Sequence, residues 1–238
     1  MQVIKRIVIL AIIALLSLPA FAQPSIGIRG GINYGEVSEP AVIGGILPDF
    51  KSILGINLGV VGEIPISSNF SFQPELAFNQ KGFKLQEGFN VDIFKIPVPL
   101  GAKVVTKVNY IDMPLLAKYK FGNEKMNAYL TAGPVFSYAS GGKLQTKAQF
   151  LFDIPITSTK LDLDALGYSR FEVSASVGAG LSFNTGSGSL FIDARYIHGL
   201  TDVYDVPVVD LKLKNRGFGI NVGYMIPLGS TSSRGLYP

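Results

Sequence analysis

Residues 171–184 read Phe-Glu-Val-Ser-Ala-Ser-Val-Gly-Ala-Gly-Leu-Ser-Phe-Asn, and the stretch alternates strictly between two kinds of side chain. The odd-numbered positions, from Phe171 to Phe183, are apolar, and the even-numbered positions, from Glu172 to Ser182, are small or polar. Successive side chains of a β-strand point to opposite faces, so a period of two predicts a strand with one apolar and one polar side.

The same alternation recurs along the chain and predicts eight strands, at 25–34, 53–64, 70–83, 107–121, 127–138, 171–183, 189–198 and 216–226. The connectors between them alternate in length. Those at 65–69, 122–127 and 184–188 are short, and those at 35–52, 84–106, 139–169 and 200–214 are long. Short turns at one rim and long loops at the other are typical of outer-membrane barrels. The predicted fold class is therefore all-β, an eight-stranded antiparallel up-and-down transmembrane β-barrel.

A soluble barrel of the lipocalin type also has one apolar and one polar face, so alternation alone leaves both alternatives open. The polar face of a soluble barrel would meet water and would be rich in Lys and Glu. Here that face is mostly Gly, Ser and Asn. Small residues suit the crowded interior of an eight-stranded barrel, which side chains fill completely. The polar face is therefore expected to point inward and the apolar face to contact lipid.

Aromatic residues collect near the strand ends. With the short turns placed below, the upper set is Tyr34, Phe78, Tyr110, Tyr138, Phe171, Tyr196 and Phe218, and the lower set is Phe70, Phe121, Phe183 and Tyr224. Two aromatic belts around an apolar band are what two bilayer interfaces select. The belts favour the membrane barrel over the soluble one.

Three prolines oppose this interpretation. Pro74, Pro114 and Pro134 lie inside predicted strands, where each removes a ladder hydrogen bond in a barrel without free edges. β-Bulges beside the prolines would absorb the loss.

The chain begins with an export signal. Lys5 and Arg6 precede an apolar run that is too short to span a bilayer, and Ala20-Phe21-Ala22 supplies a small-x-small cleavage site. We therefore predict a cleaved signal peptide at 1–22, a barrel domain at 23–229 and a C-terminal tail at 230–238. The predicted location is the outer membrane of a Gram-negative-type bacterium.

Composition narrows the choice of partners. The sequence has 21 basic and 17 acidic residues, and two of the basic ones lie in the signal, so the mature chain is nearly neutral. Near neutrality argues against a nucleic-acid partner and against a strongly basic membrane-surface patch. The absence of cysteine excludes disulfides and a lipid-anchored cysteine.

Several short motifs occur in a fixed order along nearly the whole mature chain. They are Gly27-Ile28-Arg29-Gly30-Gly31-Ile32-Asn33, Gln73-Pro74-Glu75-Leu76, Gln80-Lys81-Gly82-Phe83, Asn109-Tyr110-Ile111-Asp112-Met113-Pro114-Leu115, Ala132-Gly133-Pro134, Asp193-Ala194-Arg195-Tyr196 and Gly223-Tyr224. Together they resemble the outer-membrane barrel family named for PorT, an accessory protein of type IX secretion. The resemblance implies an eight-stranded barrel without enzymatic activity, and it does not imply that this chain serves secretion. One departure is that about ten residues follow the last strand, so an aromatic insertion signal would be internal.

The charged residues predicted to point inward form the candidate site, a lumen polar network. They are Arg29, Glu63, Glu75, Lys81, Asp112, Lys118, Glu172, Asp193 and Arg195. Lone charges in so narrow a lumen are costly to desolvate, which favours a plug of salt bridges over a conduction path. Glu75 and Arg195 lie at similar depths on opposite walls, and we expect them to meet, with Asp193 or Asp112 as further acceptors and Lys81 or Lys118 completing the network.

The alternative to a non-enzymatic barrel is a lipid-modifying enzyme, an acyltransferase or deacylase, with His198 as its base. His198 is the only histidine, and it is also explained as a polar residue at the interface. No G-x-S-x-G, no metal-ligand cluster and no G-x-x-x-x-G-K occurs, so no catalytic, metal or cofactor site is predicted. A narrow channel is the third possibility.

Parts of the long loops are apolar, at 94–100, 150–156 and 206–209. These segments either pack on one another as a cap or extend the strands past the membrane. Alternatively, they present a contact surface for a partner protein or a surface ligand. We expect a monomeric barrel surrounded by outer-membrane lipid, with its binding or assembly role carried by the extracellular loops.

Overall fold

The computed structural model describes residues 23–37, 50–93, 96–123, 125–149, 153–165, 167–202 and 214–229. Nine strands lie in these ranges: β1 (Ser25–Val37), β2 (Phe50–Pro65), β3 (Phe70–Ile93), β4 (Ile96–Gly122), β5 (Met126–Gln149), β6 (Asp153–Leu161), β7 (Phe171–Asn184), β8 (Ser189–Gly199) and β9 (Asn215–Pro227). The predicted signal peptide and C-terminal tail lie outside the described residues. Within these ranges, no helical segment has the length and the hydropathy that a transmembrane helix requires.

Eight of these strands close into a barrel. Each pairs antiparallel with its neighbours, β1 pairs with β9, and β5 pairs with both β4 and β7. The predicted fold class, a closed eight-stranded antiparallel β-barrel, is therefore confirmed. The ninth strand, β6, was not predicted. It lies within the connector at 139–169 and pairs with the upper half of β5.

Three barrel strands continue far beyond the rest. β3, β4 and β5 contain 24, 27 and 24 residues, whereas the other barrel strands contain 11 to 16. Residues 84–93, 96–106 and 139–149, predicted as loop, are therefore strand. Of the apolar loop segments, 96–100 lies in β4 and 153–156 in β6, which agrees with strand extension. Residues 94–95, 150–152 and 206–209 lie outside the described residues.

The two faces of the barrel wall have the predicted polarity. Ile28 on β1 and Val177 on β7 are 64% and 54% exposed on the outer surface, whereas Ser174 is completely buried inside. Phe171 and Tyr138 lie on the outer surface of the upper belt, and Phe70 and Phe121 on that of the lower belt. The expectation for Tyr110 was wrong. It shares the inward face of β4 with Asp112, and its side chain is completely buried.

The three prolines do not create bulges. The ladder omits Gln73 and Pro74 opposite β2, Met113 and Pro114 opposite β3, and Gly133 and Pro134 opposite β4. The register on either side of each gap is unchanged. The register shifts lie elsewhere, at Ser52/Asn57, Asn109/Tyr110 and Thr146/Lys147. The ladder hydrogen bonds that the three prolines cannot donate are therefore lost locally, in one gap on each of three consecutive strands.

We predict that an arginine in place of Val177 destabilises the barrel by about 2–4 kcal/mol, because Val177 lies on the outer surface midway between Phe171 and Phe183. Arginine in place of Leu200, just above β8, is the matched control and should cost about 0–1 kcal/mol. Urea unfolding in lipid vesicles, followed by circular dichroism, measures both. Equal costs at the two positions would contradict a bilayer around the barrel.

Candidate functional site: the charged barrel interior

The nine charged residues predicted to point inward are all buried inside the barrel, none more than 8% exposed. They form three clusters at successive depths. The middle cluster is Arg29, Glu75, Asp193 and Arg195. The upper cluster is Lys81, Asp112 and Glu172, and the lower cluster is Glu63 and Lys118 together with Lys120.

Arg195 joins two carboxylates in the middle cluster. Its Nη1 lies 2.9 Å from both Glu75 Oε1 and Glu75 Oε2, across the lumen from β8 to β3. Its Nε and Nη2 donate to the two oxygens of Asp193, at 3.0 and 2.7 Å. The planar guanidinium fork suits this arrangement, because it presents several donors in fixed directions.

Glu75 is shared between two arginines. Arg29 Nε donates to Glu75 Oε2 at 2.8 Å, from β1, and the Glu75 side chain has no solvent exposure. Gln73 Nε2 donates to Glu75 Oε1 at 2.6 Å. Asn221 on β9 accepts from Arg29 and donates to Asp193. The middle cluster therefore ties together strands that are not neighbours in the sheet.

The upper cluster has one cation and two anions. Lys81 Nζ lies 3.5 Å from both Asp112 Oδ1 and Glu172 Oε2 and donates to Ser137 at 3.1 Å. Asn215 donates to Glu172 Oε2 at 2.8 Å. Asp112 and Lys81 thus pair with each other, and they do not join Arg195.

The lower cluster has two cations on one anion. Lys118 Nζ and Lys120 Nζ lie 2.8 and 2.7 Å from the two oxygens of Glu63. Lys118 also lies 4.1 Å from the centre of the Tyr129 ring, a cation–π distance. Sequence reasoning left Lys120 out of the site. Lys120 is an even-numbered residue of β4, as Asp112 and Lys118 are. Because alternate residues of a strand face the same side, this parity predicts that Lys120 points inward.

With Lys120 included, the three clusters contain as many cations as anions. The upper cluster carries an excess negative charge and the lower cluster an excess positive charge, while the middle cluster is neutral. Each charge has a partner of opposite sign within 3.5 Å. Such pairing offsets part of the desolvation of charges in a narrow interior, as the salt-bridge plug predicted from the sequence requires.

Apolar side chains close the interior beneath the middle cluster. Val61, Tyr129, Phe191 and Met225 pack together there, none more than 6% exposed. Gly223 makes room for this cluster, because a Cβ at that position would clash with the ring of Phe191. These four side chains therefore occupy the lumen beneath the middle cluster.

A small cavity remains above the middle cluster, with a volume of about 50 Å3. Asn33 and Asn79 line it, and the Oδ1 atoms of both are buried without a hydrogen-bond partner within the protein. The cavity has room for a few water molecules, which would satisfy these acceptors.

The connector from β6 to β7 lies against the inward side of the upper strands. Leu163 and Tyr168 pack on Val108, Tyr110 and Ala139, and the Tyr168 hydroxyl hydrogen-bonds to that of Tyr110. Residues 162–165 and 167–170 thus form a cap on this wall of the barrel mouth. The buried orientation of Tyr110 is explained by this contact.

An exposed ion pair fastens the cap. Arg170 Nε and Nη2 donate to the two oxygens of Asp164, both at 2.6 Å. These hydrogen bonds hold the pKa of the Asp164 carboxyl below its usual value. The pair is therefore formed at neutral pH and is lost only as the pH falls below the ordinary range for aspartate.

His198 lies at the upper end of β8, exposed on the outer surface. Its Nδ1 is 3.4 Å from the Tyr196 hydroxyl, and the two rings stack at 6.3 Å. Among the described residues, no serine and no carboxylate hydrogen-bonds to this ring. The described chain also contains no group of three acidic, histidine or cysteine residues placed to hold a metal ion.

A family model described as "Outer membrane protein beta-barrel domain" matches residues 21–205. No curated protein matches the chain. Among solved structures, the chain is similar to Ail, the attachment invasion locus protein of Yersinia pestis, with 18% identity over 86% of this chain and 99% of that one and a TM-score of 0.39.

Two further similar structures are Neisserial surface protein A and the N-terminal β-barrel domain of Pseudomonas aeruginosa OprF. The first has 13% identity over 85% of this chain and 97% of that one, with a TM-score of 0.41. The second has 14% identity over 86% of this chain and 99% of that one, with a TM-score of 0.34. These sequence identities and TM-scores are too low for the function of any of these proteins to be assigned to this chain.

We predict that Arg195→Met destabilises the barrel by about 3–5 kcal/mol, because it leaves Asp193 buried without a cation and Glu75 with one arginine. The double variant Arg195→Met, Asp193→Asn should recover part of this loss, since an amide in place of the Asp193 carboxylate restores neutrality and can still accept from Tyr129. Urea unfolding of the three proteins measures the difference. A double variant less stable than the single one would contradict the pairing.

Proposed function

The chain belongs to the outer membrane protein β-barrel domain family, and we propose that it is a non-enzymatic binding or assembly component of the Gram-negative outer membrane. In this proposal a monomeric, PorT-like barrel anchors the protein, and its extracellular face engages a partner protein or surface ligand. A secretion-accessory role is one form of this function.

The observation that carries the proposal is the extension of the sheet above the upper belt. β3, β4 and β5 continue about ten residues past Phe83, Lys107 and Ala139, and β6 adds a fourth strand. At about 3.3 Å per residue this is some 30 Å of sheet. A barrel that served only as an anchor would gain nothing from so long a projection. Such projections typically carry binding function.

The position of the shared motifs supports the PorT-like assignment. The segments 27–33, 73–76, 109–115 and 193–196 contribute Arg29, Glu75, Asp112 and the Asp193–Arg195 pair, respectively. All of these side chains lie in the middle and upper clusters. The residues on which the resemblance rests are therefore those that fill the barrel.

Two observations count against the alternatives. A channel needs an open path, whereas the middle cluster crosses the lumen and an apolar cluster lies beneath it. An acyltransferase or deacylase needs a nucleophile or a carboxylate beside its base, whereas His198 pairs with Tyr196 on the outer surface.

We predict that a chain in which residues 144–166 are replaced by a short Gly-Ser linker loses its specific partner in pull-downs from detergent-solubilised membranes. The replacement removes β6 and the half of the cap that contains Leu163, while leaving the pairing of β5 with β7 in place. The matched control is an insertion of similar size in the periplasmic turn at 185–188. Recovery of the same partners by all three proteins would contradict a binding role for this face.

We expect His198→Ala to leave the lipid composition of the outer membrane unchanged. The imidazole has no catalytic partner among the described residues, so its removal should be silent. Mass spectrometry of lipids from cells with the wild-type chain, the variant and no chain makes the comparison. A lipid species that requires the wild-type chain and disappears in the variant would establish the enzyme alternative instead.

A further inference from the structure

Three lysines lie side by side across the extended sheet. Lys107 on β4 is directly opposite Lys143 on β5, and Lys143 is directly opposite Lys160 on β6. Directly opposed residues of an antiparallel pair project from the same face, with Cβ atoms about 5 Å apart. We call Lys107, Lys143 and Lys160 the lysine row.

The lysine row faces outward. Its neighbours in the chain, Val108 and Leu161, point to the other side, where they pack in the cluster around Tyr110. Lys143 and Lys160 are exposed, and Lys107 is partly buried. The row is therefore on the same side of the sheet as the lipid-facing band below it.

Like charges directly opposite each other destabilise a sheet. Within the described chain, the row has one polar side-chain contact, from Lys107 Nζ to Gln80 Oε1 at 3.3 Å. The two nearest acidic residues in sequence are engaged elsewhere. Asp162 accepts from the backbone of its own turn, and Asp164 is paired with Arg170. Among the side chains that the structure describes, these three neighbouring cations have no anion beside them, and an anionic ligand would supply one.

The height of the row above the membrane identifies that ligand. Lys143 lies five residues above Tyr138 of the upper belt, which is about 16 Å along a strand that is tilted in the membrane. This places the ammonium groups just above the interface, at the level of lipid headgroups. In a Gram-negative outer membrane, the outer leaflet consists of a glycolipid that carries phosphates at this level.

We propose that the lysine row binds the phosphorylated headgroup of the outer-leaflet glycolipid. Charge complementarity and continuity with the lipid-facing surface both support this occupant. The bound phosphates neutralise the row, and the row anchors the base of the extended sheet at the membrane surface. This interaction goes beyond the proposed function, because it concerns the lipid beside the barrel and is independent of any partner above it.

Near neutrality of the mature chain had argued against a basic membrane-surface patch. Net charge gives no sign of the lysine row, because the row forms only when the strand register brings together lysines that are far apart in the sequence. Lys107 lies at the start of a predicted strand, while Lys143 and Lys160 lie in a connector predicted as loop. An extra residue in β5 between the pairs Tyr110–Ala139 and Asn109–Gly141 then sets the alignment of Lys143 with Lys107.

The experiment compares three full-length barrels in phosphatidylcholine nanodiscs that contain either diphosphorylated lipid A or the same lipid A after removal of its phosphates. The barrels are the wild type, the double variant Lys143→Gln, Lys160→Gln, and the control Lys125→Gln, which removes an exposed lysine at the opposite rim. Native mass spectrometry measures the lipid that remains bound. Heat-modified electrophoretic mobility verifies that each barrel is folded.

The wild type and the control should retain diphosphorylated lipid A on the order of tenfold better than the dephosphorylated form, and the double variant should lose this preference. Equal retention of both lipids by the wild type would overturn the proposal. So would a double variant that keeps the preference. Displacement of the lipid by an equal concentration of inorganic phosphate would also overturn it, because the row would then be a simple anion site.

Discussion

The pairing of β1 with β9 closes the sheet, and the rest of the structure depends on this closure. A bilayer offers no hydrogen-bond partner to a free strand edge, so a sheet that crosses it must have none. Closure around eight strands leaves an interior that side chains fill. The outer surface must then be apolar and the inner surface small or polar, which is the alternation seen in β7.

The narrow interior explains how the buried charges are arranged. An isolated charge there would be very costly, so the carboxylates and cations pair within three clusters. The middle cluster also lies at a level where the proline residues interrupt the ladder. The ladder gaps at Pro74 and Pro114 flank Glu75, and the same Glu75 side chain is held by Arg29 and Arg195 from other walls. Hydrogen bonds across the lumen thus reinforce a level at which the proline residues interrupt the ladder.

Sequence reasoning succeeded where the bilayer constrains the chain. The faces of β7 and the approach of Arg195 to Glu75 follow from strand parity and depth, because lipid selects the outward residues. Above the membrane this selection ends. The upper part of β3 still alternates, with Leu85, Phe89, Val91 and Ile93 against polar or small residues, but it was assigned to a loop with the rest of its long connector. Residues 140–149 of β5 lack a clear alternation, and β6 was missed with them. Tyr110 was assigned to a belt by its height alone, although its parity with Asp112 placed it inside. The alignment of Lys143 with Lys107 depends on one extra residue in β5, which no local pattern indicates.

The central claim is that a sealed barrel supports a functional extracellular sheet. Its most direct test is the conductance of the purified full-length chain in planar lipid bilayers, measured for the wild type and for Arg195→Met. The account predicts no current above that of the lipid alone for the wild type, because the middle cluster and the apolar cluster beneath it block the lumen. Reproducible unitary currents through the wild type, altered in size by Arg195→Met, would show an open lumen and contradict the account.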